Sequence, residues 1–248
     1  MNAEVSITRV VNACVLLRVG DDAVLTDPYF AERWFIRLRE PIGLSVAALP
    51  RLTMILGGHG APDHWQPASL VGYTHKKDTP VIVATHAMQR RAVTAGFTRA
   101  EVLEWGATRR LSTRVEVEVV PAQTTAGRRV NNYVLHHPNL RIFIGTEARD
   151  LEPLRKYRAE RPPVEIALLP IDASAALGRK LVMAPDDALE AARLLGARIL
   201  IPIHYALKPV PLLFRTPGSC AQLIRLAHEI NDIKVIPLQT GRQWTYQR

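Results

Sequence analysis

The sequence predicts a mixed α/β fold of the α+β kind, a four-layer αββα sandwich, and three observations carry that expectation. The chain opens on consecutive β-type runs, its second half repeats the same grammar, and stretches of helical period sit between buried strands. At 248 residues the chain has a size that such folds often build as one unit, so residues 1–248 are expected to form a single domain.

In the first half, residues 5–10 alternate in polarity and residues 14–19 form an apolar run. Gly20-Asp21-Asp22 reads as a turn before a third strand over residues 23–26, which ends at Asp27-Pro28. A meander of this kind opens an antiparallel sheet. Residues 53–56 are a short buried strand halted by Gly57-Gly58. Residues 80–84 are another β-rich run, and they lead into a helix over residues 85–95 that Gly96 closes.

In the second half, residues 115–120 have a clean period of two. Residues 132–135 and 140–144 are expected to form a hairpin, with His136-His137-Pro138-Asn139 as a solvated turn. Residues 166–169 form a buried strand. Pro185-Asp186-Asp187 opens a helix that runs to Leu195, because proline suits the first helical position and acids suit the positive end of the helix dipole. Gly196 ends it, a strand follows over residues 199–203, and Ser219 caps a helix over residues 220–229. Residues 234–238 read as the strand that closes the chain.

Hydrophobic residues make up 48% of the chain, enough for a substantial core, and no run of about 18 apolar residues is present to span a membrane. The start of the chain shows no basic stretch followed by an apolar segment, so a cytoplasmic location is expected. The two cysteines, Cys14 and Cys220, are far apart and read as reduced, buried thiols. The formal charge of +9 favours anionic partners such as phosphorylated metabolites, acyl carriers, nucleic acid or acidic membranes. The basic pairs Arg90-Arg91, Arg109-Arg110 and Arg128-Arg129 are scattered, however, and no aromatic-interleaved basic motif points to specific nucleic-acid binding.

The informative cluster is His59-Gly60-Ala61-Pro62-Asp63-His64. It follows a short buried strand, where a rigid sheet can present several side chains to one cation. By itself the pattern also fits Asp63 as a helix cap with histidines on loop carbonyls. A second histidine, His204, leaves the strand that follows the helix beginning at Pro185.

In this segment and the loop before it the chain resembles the metallo-β-lactamase superfamily. The likeness is to the branch of the ascorbate-phosphate lactonases and N-acyl-phosphatidylethanolamine phospholipase D. In that branch a helix of this form precedes a strand ending Pro-apolar-His, here Pro202-Ile203-His204. The Asp27-Pro28 turn, Pro121-Ala122-Gln123 and residues 132–135 extend the likeness over nearly the whole chain. The resemblance implies a two-cation site, and this sequence departs from it. His59, Asp63, His64 and His204 match, but Ala61, Thr124 and Thr146 stand where the family carries ligands. Sorted by cation, the losses fall mostly on one position. The expectation is therefore at most one divalent ion (Zn²⁺, Mn²⁺ or Fe²⁺) on Asp63, His64 and His204, or no ion at all.

The resemblance further implies a hydrolase-like enzyme that cleaves an ester, lactone, thioester or phosphodiester in a small anionic or acyl substrate. Asp63, His59 and Glu147 are then expected to be catalytic, and Arg128, Thr124, Thr146 and Tyr205 to bind substrate. Residues 34–44 correspond to a substrate-covering loop in relatives, with Arg33, Arg37 and Arg39 able to attract an anion. Asp27 is expected to hold the loop below the site. The alternative is a metal-free protein that binds a ligand or performs a cyclisation or isomerisation. The sequence leaves the oligomeric state open.

Overall fold

A computed structural model describes residues 4–125, 128–210, 212–230 and 232–247; the side chains of Thr124, Thr125 and Ile230 lie outside that description. In chain order the strands of the first half are β1 (Glu4–Val11), β2 (Cys14–Val19), β3 (Asp22–Thr26), β4 (Met54–Gly57), β5 (Val81–Val83) and β6 (Ala100–Val102). They are followed by β7 (Thr108–Arg110), β8 (Glu116–Thr125), β9 (Arg128–His137), β10 (Leu140–Ile144) and β11 (Ile166–Pro170). The remainder are β12 (Ala175–Ala176), β13 (Arg179–Lys180), β14 (Ile199–Ile203), β15 (Phe214–Arg215), β16 (Lys234–Val235) and β17 (Gln243–Gln247). The helices are α1 (His86–Thr94), α2 (Glu152–Glu160), α3 (Pro185–Leu195) and α4 (Cys220–Ile230).

Two seven-stranded sheets run β17-β1-β2-β3-β4-β5-β6 and β16-β14-β11-β10-β9-β8-β7, and a small sheet runs β13-β12-β15. Each large sheet is antiparallel on one side and parallel on the other. The parallel pairs are β3/β4, β4/β5 and β5/β6 in the first, and β10/β11, β11/β14 and β14/β16 in the second. The parallel halves matter for function, because their strand ends all deliver loops to the same edge of the sandwich.

Three apolar layers hold the sheets and helices together. Ile7, Leu17, Met54, Tyr133, Ile144 and Ile201 belong to the central layer contributed by both sheets. A second layer puts Ile55, Trp65, Met88 and Phe97 with α1 against the first sheet, and a third puts Phe143, Leu154, Leu189 and Leu223 with α2–α4 against the second. Each fully buried Leu or Ile in these layers contributes about 1.5–3 kcal/mol. The expected αββα layering is what the chain adopts.

Local signals act as their chemistry demands. Thr85 caps α1 by accepting from Met88 N at 3.3 Å. At α3, Asp187 accepts from Ala184 N at 2.7 Å, and Gly196 ends the helix in the left-handed region at φ 69°. Two expectations need correction. His136 and His137 belong to β9 rather than to the turn, and His136 Nε2 bonds the buried Glu118 Oε2 at 2.8 Å. Residues 234–238 do not close the chain, because only Lys234–Val235 pairs there. The closing strand is β17, whose alternating Trp244 and Tyr246 dock on β1. Helix α2 is also additional to the sequence expectation. Its charge-rich run buries only Leu154 and Tyr157, so its periodicity is faint.

Candidate metal centre

The central pair of the site is His64 and His204, whose Nε2 atoms face one another at 2.8 Å. His64 comes from the loop after β4 and His204 directly follows β14, so one imidazole arrives from each sheet. Both are almost wholly buried. Each is oriented from behind by a buried carboxylate: Asp27 Oδ2 lies 2.8 Å from His64 Nδ1, and Asp172 Oδ2 lies 3.2 Å from His204 Nδ1. With Nδ1 occupied in this way, Nε2 is the nitrogen left to point into the site.

The two carboxylates are themselves fixed by backbone. Gly58 N donates to Asp27 Oδ1 at 2.7 Å, and Ser174 N donates to Asp172 Oδ1 at 3.0 Å. Asp27 (φ 36°) and His204 (φ 55°) both sit in the left-handed region, which costs a non-glycine residue of order 1 kcal/mol. That strain at two positions of one site points to a constellation held by its surroundings.

Asp63 Oδ2 stands 3.5 Å from His64 Nε2 and 3.4 Å from His204 Nε2, so the three residues converge on one point with their ligand atoms within 4.8 Å of one another. A second group, His59, His64 and Glu147, meets the same criterion and shares His64. Glu147 Oε2 lies 3.9 Å from His64 Nε2 and contacts His59 Nδ1. Both of those contacting atoms are buried without a hydrogen bond. The facing Nε2 atoms of His64 and His204 with Asp63 beside them, and the donor set of imidazole and carboxylate, suit Zn²⁺, Mn²⁺ or Fe²⁺. The residues present fit a divalent ion.

The charges respond to this crowding. Burial and the neighbouring His64 push His59 down to about 3, so it is neutral at pH 7. Burial works against the charge on Asp63, yet His64, His204 and His59 outweigh it and hold the carboxyl below the usual range. Burial likewise pulls on His204, but Asp172 and Asp63 more than offset it and hold the imidazole up at about 10.

Over this centre lies a cavity of about 300 Å³ bordered by His59, Asp63, Glu147 and His204. Phe35, Leu181, Val182, Leu207 and Phe214 make its walls apolar, while Arg37 and Lys208 bring positive charge. Buried Ser174 also borders it, with a hydroxyl that has no hydrogen-bond partner.

The sequence-derived residues thus separate by position. His59, Asp63, His64, Glu147 and His204 come together. Arg128 is exposed at the start of β9, near enough for its charge to add to the lowering at His59. Thr146 is fully buried and donates to Asn131 O at 3.1 Å, packed where a Cβ on Gly58 would collide with it. Tyr205 points away, its hydroxyl on Leu238 O at 3.1 Å and its ring under the Arg9 guanidinium at 4.1 Å. The side chain of Thr124 lies outside the described residues. Of the three arginines in the covering segment, Arg37 reaches the cavity and Arg39 bonds Thr216 Oγ1 at 2.8 Å. Asp27 ties the loop at Gly58 and orients His64 as well. Asp172 and Ser174 were not picked out from sequence. The available signal was an acid three residues beyond the buried run ending at Leu169.

Residues 22–205 match the model of the beta-lactamase superfamily domain. The chain belongs to the metallo-β-lactamase superfamily. A relative in Pyrobaculum islandicum, named a metal-dependent hydrolase, is 26% identical over 236 residues, or 93% of this chain and 95% of its own. Two solved structures show this superfamily chain's fold. The isothiocyanate hydrolase from Delia radicum gut bacteria is 17% identical and superposes with a TM-score of 0.79, covering 97% of this chain and 98% of its own. A possible metal-dependent hydrolase from Veillonella parvula is 14% identical, with a TM-score of 0.80 and coverage of 97% and 99%. Among the described residues, no helix of this family member is long and apolar enough to cross a membrane.

Proposed function

We propose that this chain is a metal-dependent hydrolase that holds one divalent cation on Asp63, His64 and His204. Its substrate is a small anionic or acyl molecule carrying an ester, lactone, thioester or phosphodiester bond. The observation that carries this reading is the pair of imidazole Nε2 atoms turned toward one another, each backed at Nδ1 by its own buried aspartate. The relative's name, metal-dependent hydrolase, supports the same reading.

A divalent cation in such a site supplies Lewis acidity, polarising a substrate oxygen and easing the ionisation of water. The chain's own residues do the rest. Asp27 and Asp172 hold the two imidazoles in one tautomer and rotamer. His59, neutral at pH 7 and in contact with Glu147, accepts or relays a proton at Nδ1. The apolar wall from Phe35 to Phe214 takes the acyl portion, and Arg37 and Lys208 pair with an anionic group. Arg128 adds positive charge beside His59. Thr146 and Tyr205 serve as structural ties behind the site rather than as substrate contacts.

Elemental analysis of protein purified without chelator tests the proposal. One equivalent of metal is expected. No metal, even after incubation with Zn²⁺, Mn²⁺ or Fe²⁺, would overturn it in favour of a metal-free binding or isomerising protein.

A further inference from the structure

Ten large apolar side chains stand exposed among the described residues, and six of them stand on segments that border the cavity over the metal centre, two of the six (Phe35 and Val210) lining it. They come from three segments. Trp34 and Phe35 sit edge to face on the first, with ring centroids 5.3 Å apart. Val210, Leu212 and Leu213 stand on the second, and Leu177 stands at the tip of the β12–β13 hairpin. Backbone bonds join the three into one rim. Lys208 N donates to Arg37 O at 2.8 Å, Leu38 bridges to Leu207, and Leu177 N donates to Leu213 O at 3.3 Å.

The exposure is extreme for such residues: 90% for Trp34, 79% for Leu177 and 98% for Leu212. Lining the cavity does not account for it, because these three do not border the cavity at all. An apolar patch of this kind marks a surface that something covers. The same segments carry Arg33, Arg37, Arg179, Lys208 and Arg215, all exposed, and Lys180, which pairs with Asp187. Residues 32–39, 175–180 and 207–216 contain a single acid, Glu32.

We propose that this rim docks on the surface of an anionic phospholipid bilayer. Trp34, Leu177 and Leu212 enter at the depth of the headgroups, and the surrounding cations meet lipid phosphates and carboxylates. The charge distribution favours this occupant over a second copy of the chain. A self-complementary dimer would press the rim's cations against their own counterparts. Docking is separate from the hydrolytic reading, since it is measured without turnover.

The test is co-sedimentation of the full chain with vesicles of phosphatidylcholine alone, or with about one lipid in three replaced by phosphatidylserine, beside light scattering in solution. The chain is expected to bind the anionic vesicles at least about tenfold more tightly than the neutral ones, and less tightly as salt rises. A Trp34→Ala, Leu212→Ala double variant, folded by circular dichroism, is expected to lose at least about tenfold in affinity. Val93→Ala, an exposed apolar change on α1, is expected to bind as the parent does. Three results would overturn the proposal. They are no binding to anionic vesicles, binding unchanged in the double variant, and a dimer in solution that the double variant dissolves. The last would make the rim a self-interface.

Discussion

The two sheets approach the metal centre by the same device, but they distribute its parts differently. In the first, Asp27 leaves β3 and holds His64, which follows the adjacent parallel strand β4. In the second, Asp172 follows β11 and holds His204, which leaves the adjacent parallel strand β14. In both, the second oxygen of the aspartate is tied down by a backbone N–H. The strain falls on opposite members, on Asp27 in the first half and on His204 in the second. The first half then gathers His59, Asp63 and His64 in one loop, whereas Glu147, Asp172 and His204 of the second leave three different strands. Neighbouring parallel strand ends therefore orient a histidine whether its partners are close in sequence or far apart.

The deepest break in this equivalence is removal of an imidazole. His64→Ala and His204→Ala are each expected to reduce bound metal from about one equivalent to below a tenth, because each removes a ligand and unpairs a buried aspartate. Elemental analysis after gel filtration checks this; retention of metal in either variant would show that half of the site to be dispensable.

Removing only the orienting charge sharpens the comparison. Asp27→Asn and Asp172→Asn are expected to weaken metal affinity by about 10–100-fold. The loss is larger for Asp27, which contacts its histidine more closely and also anchors Gly58. A competition titration with a chromogenic chelator reads both, and equal losses would erase the distinction drawn between the halves.

The seam between the halves is tested at Gly58, where a Cβ would collide with Thr146. Gly58→Ala is expected to cost about 1–3 kcal/mol of stability in denaturant unfolding, the range for forcing extra volume into a packed site. An unfolding midpoint equal to the parent's would mean that Thr146 gives way freely.

The second half carries, at His204, a titration that can be followed without metal. The folded-state value for His204 is held up at about 10 against an ordinary 6.5. Its contribution to stability is therefore complete below pH 6.5 and is lost as pH rises through 10. Chelator-treated protein should lose stability in urea between pH 7 and pH 10, and Asp172→Asn should flatten that slope. An unchanged slope would remove Asp172 as its cause. The smallest effect belongs to Tyr205→Phe, which gives up one bond to Leu238 O. It should cost about 1 kcal/mol and leave metal content intact.

Much of this was legible from residues 59–64, because a short loop after a buried strand keeps sequence neighbours close in space. The αββα layering was legible for a similar reason, since alternating and apolar runs record which faces are buried. Asp172 was not, because nothing local marks an acid beyond a strand as the partner of a histidine 32 positions away. Tyr205 misled for the converse reason: it adjoins His204 in sequence, but the backbone turn at φ 55° sends the two side chains to different places. Strand β17 carried a readable alternation, but its partner is β1 at the far end of the chain.

By itself, then, the sequence determined the fold class, the loop bearing His59, Asp63 and His64, and the histidine that follows β14. These rest on periodicity and on residue types within a few positions of each other. The tertiary structure alone decided that Asp27 and Asp172 stand behind the two imidazoles, that Glu147 faces His59, and that Thr146 and Tyr205 turn away. Those pairings depend on which strands lie side by side and on two backbone positions with positive φ. Both are set by long-range packing of the sheets, which the local sequence pattern does not encode.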